Sequence, residues 1–180
     1  MKKGFALILA LVVCLSLTAC GGSTSEKSKD SGNATKTTDN SNLSFHDNVY
    51  ETDALRIEIT RCEVISAGDT TYNQYNFEKQ PVMAFWYTVT NKSGDDITPM
   101  NAWIFNFKAI QDNDPNSVNE LRVSSLPDQT FLDSQTQKIK KGGTVECCCG
   151  YVLDDDVTPV TLIASDILGT ESGRQNFPVK

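Results

Sequence analysis

The chain of 180 residues carries 16 Lys and Arg against 23 Asp and Glu, with one His and six Cys, for a formal charge of −7. That length fits one ordinary domain with a tail, and the acidic balance excludes the clustered Lys and Arg that nucleic-acid phosphates require. With 39% apolar residues, among them two Trp, five Tyr and eight Phe, the chain can build a core, while a single His leaves little for metal or acid-base chemistry.

Lys2 and Lys3 precede an apolar run from Gly4 to Ser16, the charged and hydrophobic regions of a secretory signal peptide. The run is shorter than the roughly 20 residues a spanning helix needs, and it stops at Leu17-Thr18-Ala19-Cys20-Gly21-Gly22. That sequence resembles the lipobox of bacterial lipoproteins, whose cysteine receives a diacylglycerol before cleavage leaves it as the first mature residue. The resemblance implies that residues 1–19 are a lipoprotein signal peptide and that Cys20 is the lipidation site. It places the mature chain on the outer face of the cytoplasmic membrane, anchored by lipid on the extracellular side.

Residues 20–44 hold the lipidated Cys and then a polar stretch from Ser23 in which only Ala34 and Leu43 are apolar. Such a segment buries too little to fold and is expected to be a disordered tether. A flexible chain of that length has a root-mean-square span of roughly 25 to 30 Å, enough to stand a domain off the membrane within a cell wall, which fits a single-membrane bacterium better than a periplasm.

From Phe45 to Lys180 the chain carries 11 basic and 20 acidic residues, a charge of −9 that should repel anionic surfaces. Leu55, Ile57 and Ile59 alternate with polar residues, and the apolar phase then shifts to Cys62 and Val64, which predicts a strand with a bulge near Thr60-Arg61. Val82 to Thr90 is apolar on both phases, as in a central strand, and ends at the turn cluster Asn91-Lys92-Ser93-Gly94-Asp95. Ala102 to Gln111 alternates with Trp103, Phe105, Phe107 and Ala109 inward, predicting a half-buried strand. Asp112 to Asn116 turns the chain, Leu121 to Ser125 and Gln129 to Ile139 give weaker strands, and Lys140-Lys141-Gly142-Gly143 is a further turn. Thr144 to Leu153 sets Val145, Cys147, Cys149, Tyr151 and Leu153 on one face, with Glu146, Cys148 and Val152 on the other. Thr158 to Ala164 follows the acidic run Asp154-Asp155-Asp156, and a tail carries Phe177 and Val179. Short, turn-punctuated strands without a strong helical period predict an all-β antiparallel sandwich.

Thr90-Asn91-Lys92-Ser93 after an aromatic strand, Ala109-Ile110-Gln111-Asp112 after the next, Lys141-Gly142-Gly143-Thr144-Val145, Gly150-Tyr151-Val152-Leu153 and Thr158-Pro159-Val160-Thr161-Leu162 together resemble a family of Gram-positive lipoproteins. Its C-terminal domain is of unknown function and is grouped with telokin-like, immunoglobulin-like secreted antigens. The resemblance covers about Phe45 to Ala164 and implies an Ig-like β-sandwich over residues 45–180, with no activity to carry over. Where the family has glycine after the Gln-Asp pair, this chain has Asn113.

An exported domain permits disulfides, and a sandwich could join Cys62 to Cys147 or Cys149 between its two sheets beside Trp86. The other reading of these residues is small buried hydrophobes, with Cys148 left as an exposed thiol. Cys147 to Cys149 with His46 would make a zinc set on paper, but alternate residues of a flat strand do not converge on one ion. Asp112-Asn113-Asp114-Pro115-Asn116 resembles the opening of a calcium loop, yet Ser117 and Val123 stand where an EF-hand needs Gly and Glu. No phosphate loop, metal helix or nucleophile elbow is present.

The expectation is therefore a surface-displayed, lipid-anchored domain without catalytic or metal residues and without a cofactor. It would interact with an envelope protein, a cell-wall ligand or another extracellular component, and not with nucleic acid. The alternative is a small metal- or redox-responsive module using Cys62 and Cys147/Cys149.

Overall fold

A computed structural model describes residues 44–180. The expected signal peptide, Cys20 and nearly all of the expected tether lie outside the described residues. Two antiparallel sheets face each other. The first is ordered β1 (Phe45–His46), β2 (Val49–Glu51), β3 (Leu55–Ile65), β4 (Val82–Asn91) and β7 (Thr144–Val152). The second is ordered β6 (Asn119–Glu120), β5 (Phe107–Gln111), β8 (Val160–Ser165) and β9 (Glu171–Phe177). The fold is an all-β sandwich, as the spacing of turns predicts.

The central strand is β4, paired with β3 on one side and β7 on the other. Met83, Phe85, Tyr87 and Val89 face the second sheet, while Ala84 and Trp86 face away from it and are also buried. The predicted bulge is present. Ile59 pairs with Tyr87 and Arg61 with Trp86, so Thr60 is the extra residue that moves Arg61 and Ile65 to the outer face. The turns at Asn91–Asp95 and Lys140–Gly143 are also where the sequence puts them, with Gly94 and Gly142 at φ +95° and +76°, values that favour glycine.

Three expectations are corrected. Ala102 to Asn106 is not a strand: a helix, α1 (Pro99–Asn106), precedes β5. Thr98 caps it through Oγ1, which accepts from the Asn101 amide at 3.3 Å, and Pro99 supplies a preset first turn. Trp103 and Ala102 face the core as helix neighbours, whereas Phe105, assigned inward by strand alternation, is 71% exposed. Second, Gln129–Phe131 and Ser134–Thr136 are single 3-10 turns, and the Leu121 to Ser125 region forms only β6 just before it and one bridge from Val123 to Tyr151. Third, the tail contains β9. Its polar sequence has weak strand preference, but β8 pairs with it along most of its length, so tertiary pairing overrides propensity.

Trp103 closes the side of the sandwich. Its ring stacks on Tyr87 at 4.3 Å and meets Phe107 at 4.7 Å, and its indole N–H donates to the Tyr151 hydroxyl at 3.0 Å. The Tyr87 hydroxyl in turn donates to the Pro99 carbonyl at 3.1 Å. The tryptophan between the sheets is thus Trp103 from α1, while Trp86 lies on the outer face of β4.

The ends of the sandwich follow from register. Ser44 O accepts from the Glu51 amide, so the chain joins the domain beside the β2–β3 turn. The carbonyl of Phe45 lies against Gly173, and Asn48 exchanges two hydrogen bonds with Gln175, at 2.9 and 2.6 Å. Strand β1 therefore runs alongside β9 in the same direction, and the β8–β9 turn sits at the same end as Ser44. This near end also holds residues 92–98 and 140–143. Residues 112–118 and 153–159 lie at the far end.

The helix and strand assignments of this segment make opposite predictions. Trp103→Ala should lower unfolding free energy by about 3 to 5 kcal/mol, while Phe105→Ala should change it by less than about 0.5 kcal/mol. Urea denaturation of residues 45–180 measures both.

Candidate functional site

The far end is built on Gln111, the last residue of β5 and fully buried. Its side-chain oxygen accepts from the Asp154 amide at 2.7 Å, and its nitrogen donates to the carbonyls of Asp155 and Thr158 at 3.1 and 2.7 Å. One amide thus ties the second sheet to the β7–β8 connection. Asn113 donates from Nδ2 to the carboxylates of Asp154 and Asp155 at 2.8 and 2.9 Å. The two acidic turns that the sequence shows separately are brought together here.

Asp155 is committed to its own loop. Its carboxylate accepts from the Thr158 and Val157 amides at 2.6 and 2.9 Å and from the Thr158 hydroxyl at 2.8 Å. These bonds, with the Asn113 amide, hold its carboxyl well below the usual carboxylate range. Asp114 is lowered in the same way, first by the Asn116 amide. Residues 113–119 and Asp154 line an open polar cleft of about 570 Å³. Among the described residues no group of three His, Cys, Asp or Glu side chains is arranged to hold a metal ion.

The cysteines are not brought together. Cys62 pairs with Phe85 and Phe85 with Cys149, so Cys62 and Cys149 sit in the same sheet with β4 between them. Two strand spacings separate their Cα atoms by roughly 9 to 10 Å, beyond the reach of a disulfide. Cys147 pairs with Tyr87 on the same inner face, and the four cysteines of the domain are free. The expected Cys62 bridge to Cys147 or Cys149 is therefore not formed: its partners share a sheet instead of facing across two. Cys62 is exposed because β2 stops short of it, leaving that stretch of β3 without an outer neighbour. His46 is exposed on β1, with Nδ1 3.1 Å from Asp47, and its pairing residues lie away from the thiols.

Cys148 is buried and not an exposed thiol. It packs with Trp86, Ala84 and Ile65 on the outer face, under Tyr72, Leu126 and Phe131 from the two long connections. Asp128 secures this cover. Its carboxylate accepts from the Trp86 indole at 3.1 Å and from the Thr130 hydroxyl and amide at 2.7 and 3.0 Å. Burial would raise its pKa, but the bonds from Thr130 and Trp86 and the charge of Arg61 outweigh it and lower the carboxyl. Its folded-state pKa lies below the unfolded one, so this contribution to stability is fully present above about pH 4 and is lost as pH falls further.

Burial pushes the Cys147 and Cys148 thiols up, and pushes Cys149 up to about 12, with the neighbouring Cys147 adding to the rise. Thiols held protonated at neutral pH are poor nucleophiles and poor metal ligands.

The model of the domain of unknown function DUF5067 matches residues 26–166. The chain belongs to that family. No curated protein matches it. The chain is also similar to a solved chain from Staphylococcus aureus subsp. aureus NCTC 8325 that carries the name "putative lipoprotein", with 21% identity and a TM-score of 0.60 over 76% of this chain and 92% of that one. That likeness establishes a shared fold. No helix of the described residues is long and apolar enough to cross a membrane.

Thiol reactivity checks the cysteine assignments. In the native domain of residues 45–180, alkylation followed by peptide mass mapping should modify Cys62 quickly, and Cys147 and Cys148 only after denaturant is added. Fast modification of Cys148 would show that its cover does not close.

Proposed function

We propose that this protein is a membrane-anchored, surface-exposed lipoprotein whose Ig-like domain works without catalysis, by binding an envelope or extracellular component at its far end. The observation that carries the reading is polarity. The chain joins the domain at Ser44, and the open cleft lined by residues 113–119 and Asp154 is at the opposite end. A domain held by its near end presents that cleft outward. The lipobox ending at Cys20 supports the anchor, and the polar segment after it supplies reach.

The cleft is suited to recognition. Its floor is fixed by the Gln111 and Asn113 bonds, so little order is lost on binding. Asp114 and Asp154 in its lining give it negative charge, which selects a cationic or amide-rich partner over an anionic one. The raised thiols do not favour a metal- or redox-responsive module.

Two measurements test the reading. Cys20→Ala, or globomycin treatment, should remove the acyl mass and release the chain from the membrane fraction. A photoreactive side chain at Asn116, displayed on intact cells, should give a discrete cross-linked product that the same side chain at exposed Lys108, on the outer face of the second sheet, does not give. Equal labelling from both positions, or turnover of an envelope substrate by purified residues 45–180, would overturn it.

A further inference from the structure

The turn between β8 and β9 carries the two most exposed large apolar side chains of the described domain, Ile167 at 97% and Leu168 at 88%. They are adjacent in sequence, and the turn that presents them is tightly built. The Asp166 carboxylate accepts from the Leu168 and Thr170 amides at 2.9 and 2.8 Å. The Asp166 amide donates to the Thr170 carbonyl and the Gly169 amide to the Asp166 carbonyl, both at 2.9 Å. Gly169 takes φ +81°, which a side chain would resist. Two aliphatic groups are thus held in water by a fixed scaffold, at a cost that packing within the domain does not offset.

Their position is the second observation. Gly173, three residues past Thr170, lies against Phe45, and Tyr50 sits close enough to Ser172 and Asp166 for both to affect its titration. The turn therefore projects from the end at which the chain joins the domain. The near end carries both signs of charge: Lys92 and Lys138 pair there with Glu51 and Asp96, the Asp166 carboxylate is held by the amides of its own turn, and Lys140 and Lys141 make no ion pair among the described residues. A membrane lying beneath Ser44 would meet the two apolar groups and the Lys140 and Lys141 ammoniums, with the acidic cleft at the other end.

We propose that Ile167 and Leu168 form a wedge that dips into the lipid interface and seats the domain upright on the membrane that anchors it. This rests on the lipoprotein reading and adds an orientation to it. Two side chains are too few to hold a free domain to a bilayer. With the chain already anchored, contact becomes intramolecular, and a weak wedge is sufficient. Seating alternates with release on the tether, and the seated state points residues 113–119 away from the surface.

The test uses Leu168→Trp, because Trp86 and Trp103 are buried and give a steady background. One arm reconstitutes the full lipidated chain in vesicles of phosphatidylcholine with a minority of phosphatidylglycerol. A second tethers the chain from Gly21 onward to the same vesicles through an N-terminal histidine tag and a nickel-chelating lipid. In both arms the new indole should shift to the blue and be quenched by brominated acyl chains, and adding Ile167→Asp should abolish both effects while leaving thermal unfolding unchanged. Quenching in the nickel arm alone, with no acyl mass on the full chain, would remove the lipoprotein reading and leave the wedge. An indole that stays water-exposed in both arms would overturn the wedge, as would protection of residues 166–170 on cells without quenching in vesicles, which would assign the turn to a protein partner.

Discussion

Strand β4 is apolar on both faces, and the rest of the domain is arranged to cover them. Its inner face, Met83 to Val89 on alternate positions, is met by the second sheet and by Trp103 from α1. Its outer face, Ala84 and Trp86, has no third sheet to meet it, so two long connections fold back over it and are fastened by the Asp128 carboxylate. Both neighbours of β4 respond to the same demand. The bulge at Thr60 in β3 turns Ile65 and Arg61 outward, where Arg61 stacks over Trp86 with its guanidinium 3.5 Å from the ring centroid. Strand β7 supplies Cys148 to that outer core and Cys147 to the inner one.

This arrangement accounts for the chemistry of the cysteines. Three successive residues of a strand must alternate between faces, and with both faces covered each of them meets a packed environment. The run Cys147-Cys148-Cys149 looks like a reactive cluster in the sequence and is instead packing material placed on two sides of one sheet. The ends of the sandwich, where loops are freer of the packing constraint, are left for polar side chains. One end receives the chain at Ser44 and the other holds a polar cleft fixed by Gln111 and Asn113.

Most of the strand architecture was legible because β3 and β7 alternate with period two, β4 is a short run apolar on both phases, and all three end at turns with Gly, Asn or Asp. The helix was misread because Trp103, Phe105, Phe107 and Ala109 satisfy a two-residue period across a boundary that lies at Phe107. Thr98-Pro99 was the available signal, a capping residue followed by proline, and it marks the helix start correctly. Strand β9 offered no comparable signal, since only Gly173 and Phe177 are fully buried in it and its pairing comes from β8. The candidate site was half legible. Asp112 to Asn116 and Asp154 to Asp156 each read as turns, but their meeting depends on which strands sit side by side, and no local pattern records that. The burial of Cys148 was hidden for the same reason: its cover comes from residues with no regular period.

Amide hydrogen exchange of the native domain tests most directly whether β4 is the member on which both cores rest. The amides of Met83 to Val89 should exchange last, at the rate set by global unfolding, while those of residues 112–118 and 166–170 exchange through local opening. Exchange of β4 ahead of β8 and β9 would contradict the account, because it would place the stable core in the second sheet and leave the outer-face cover without a role in stability.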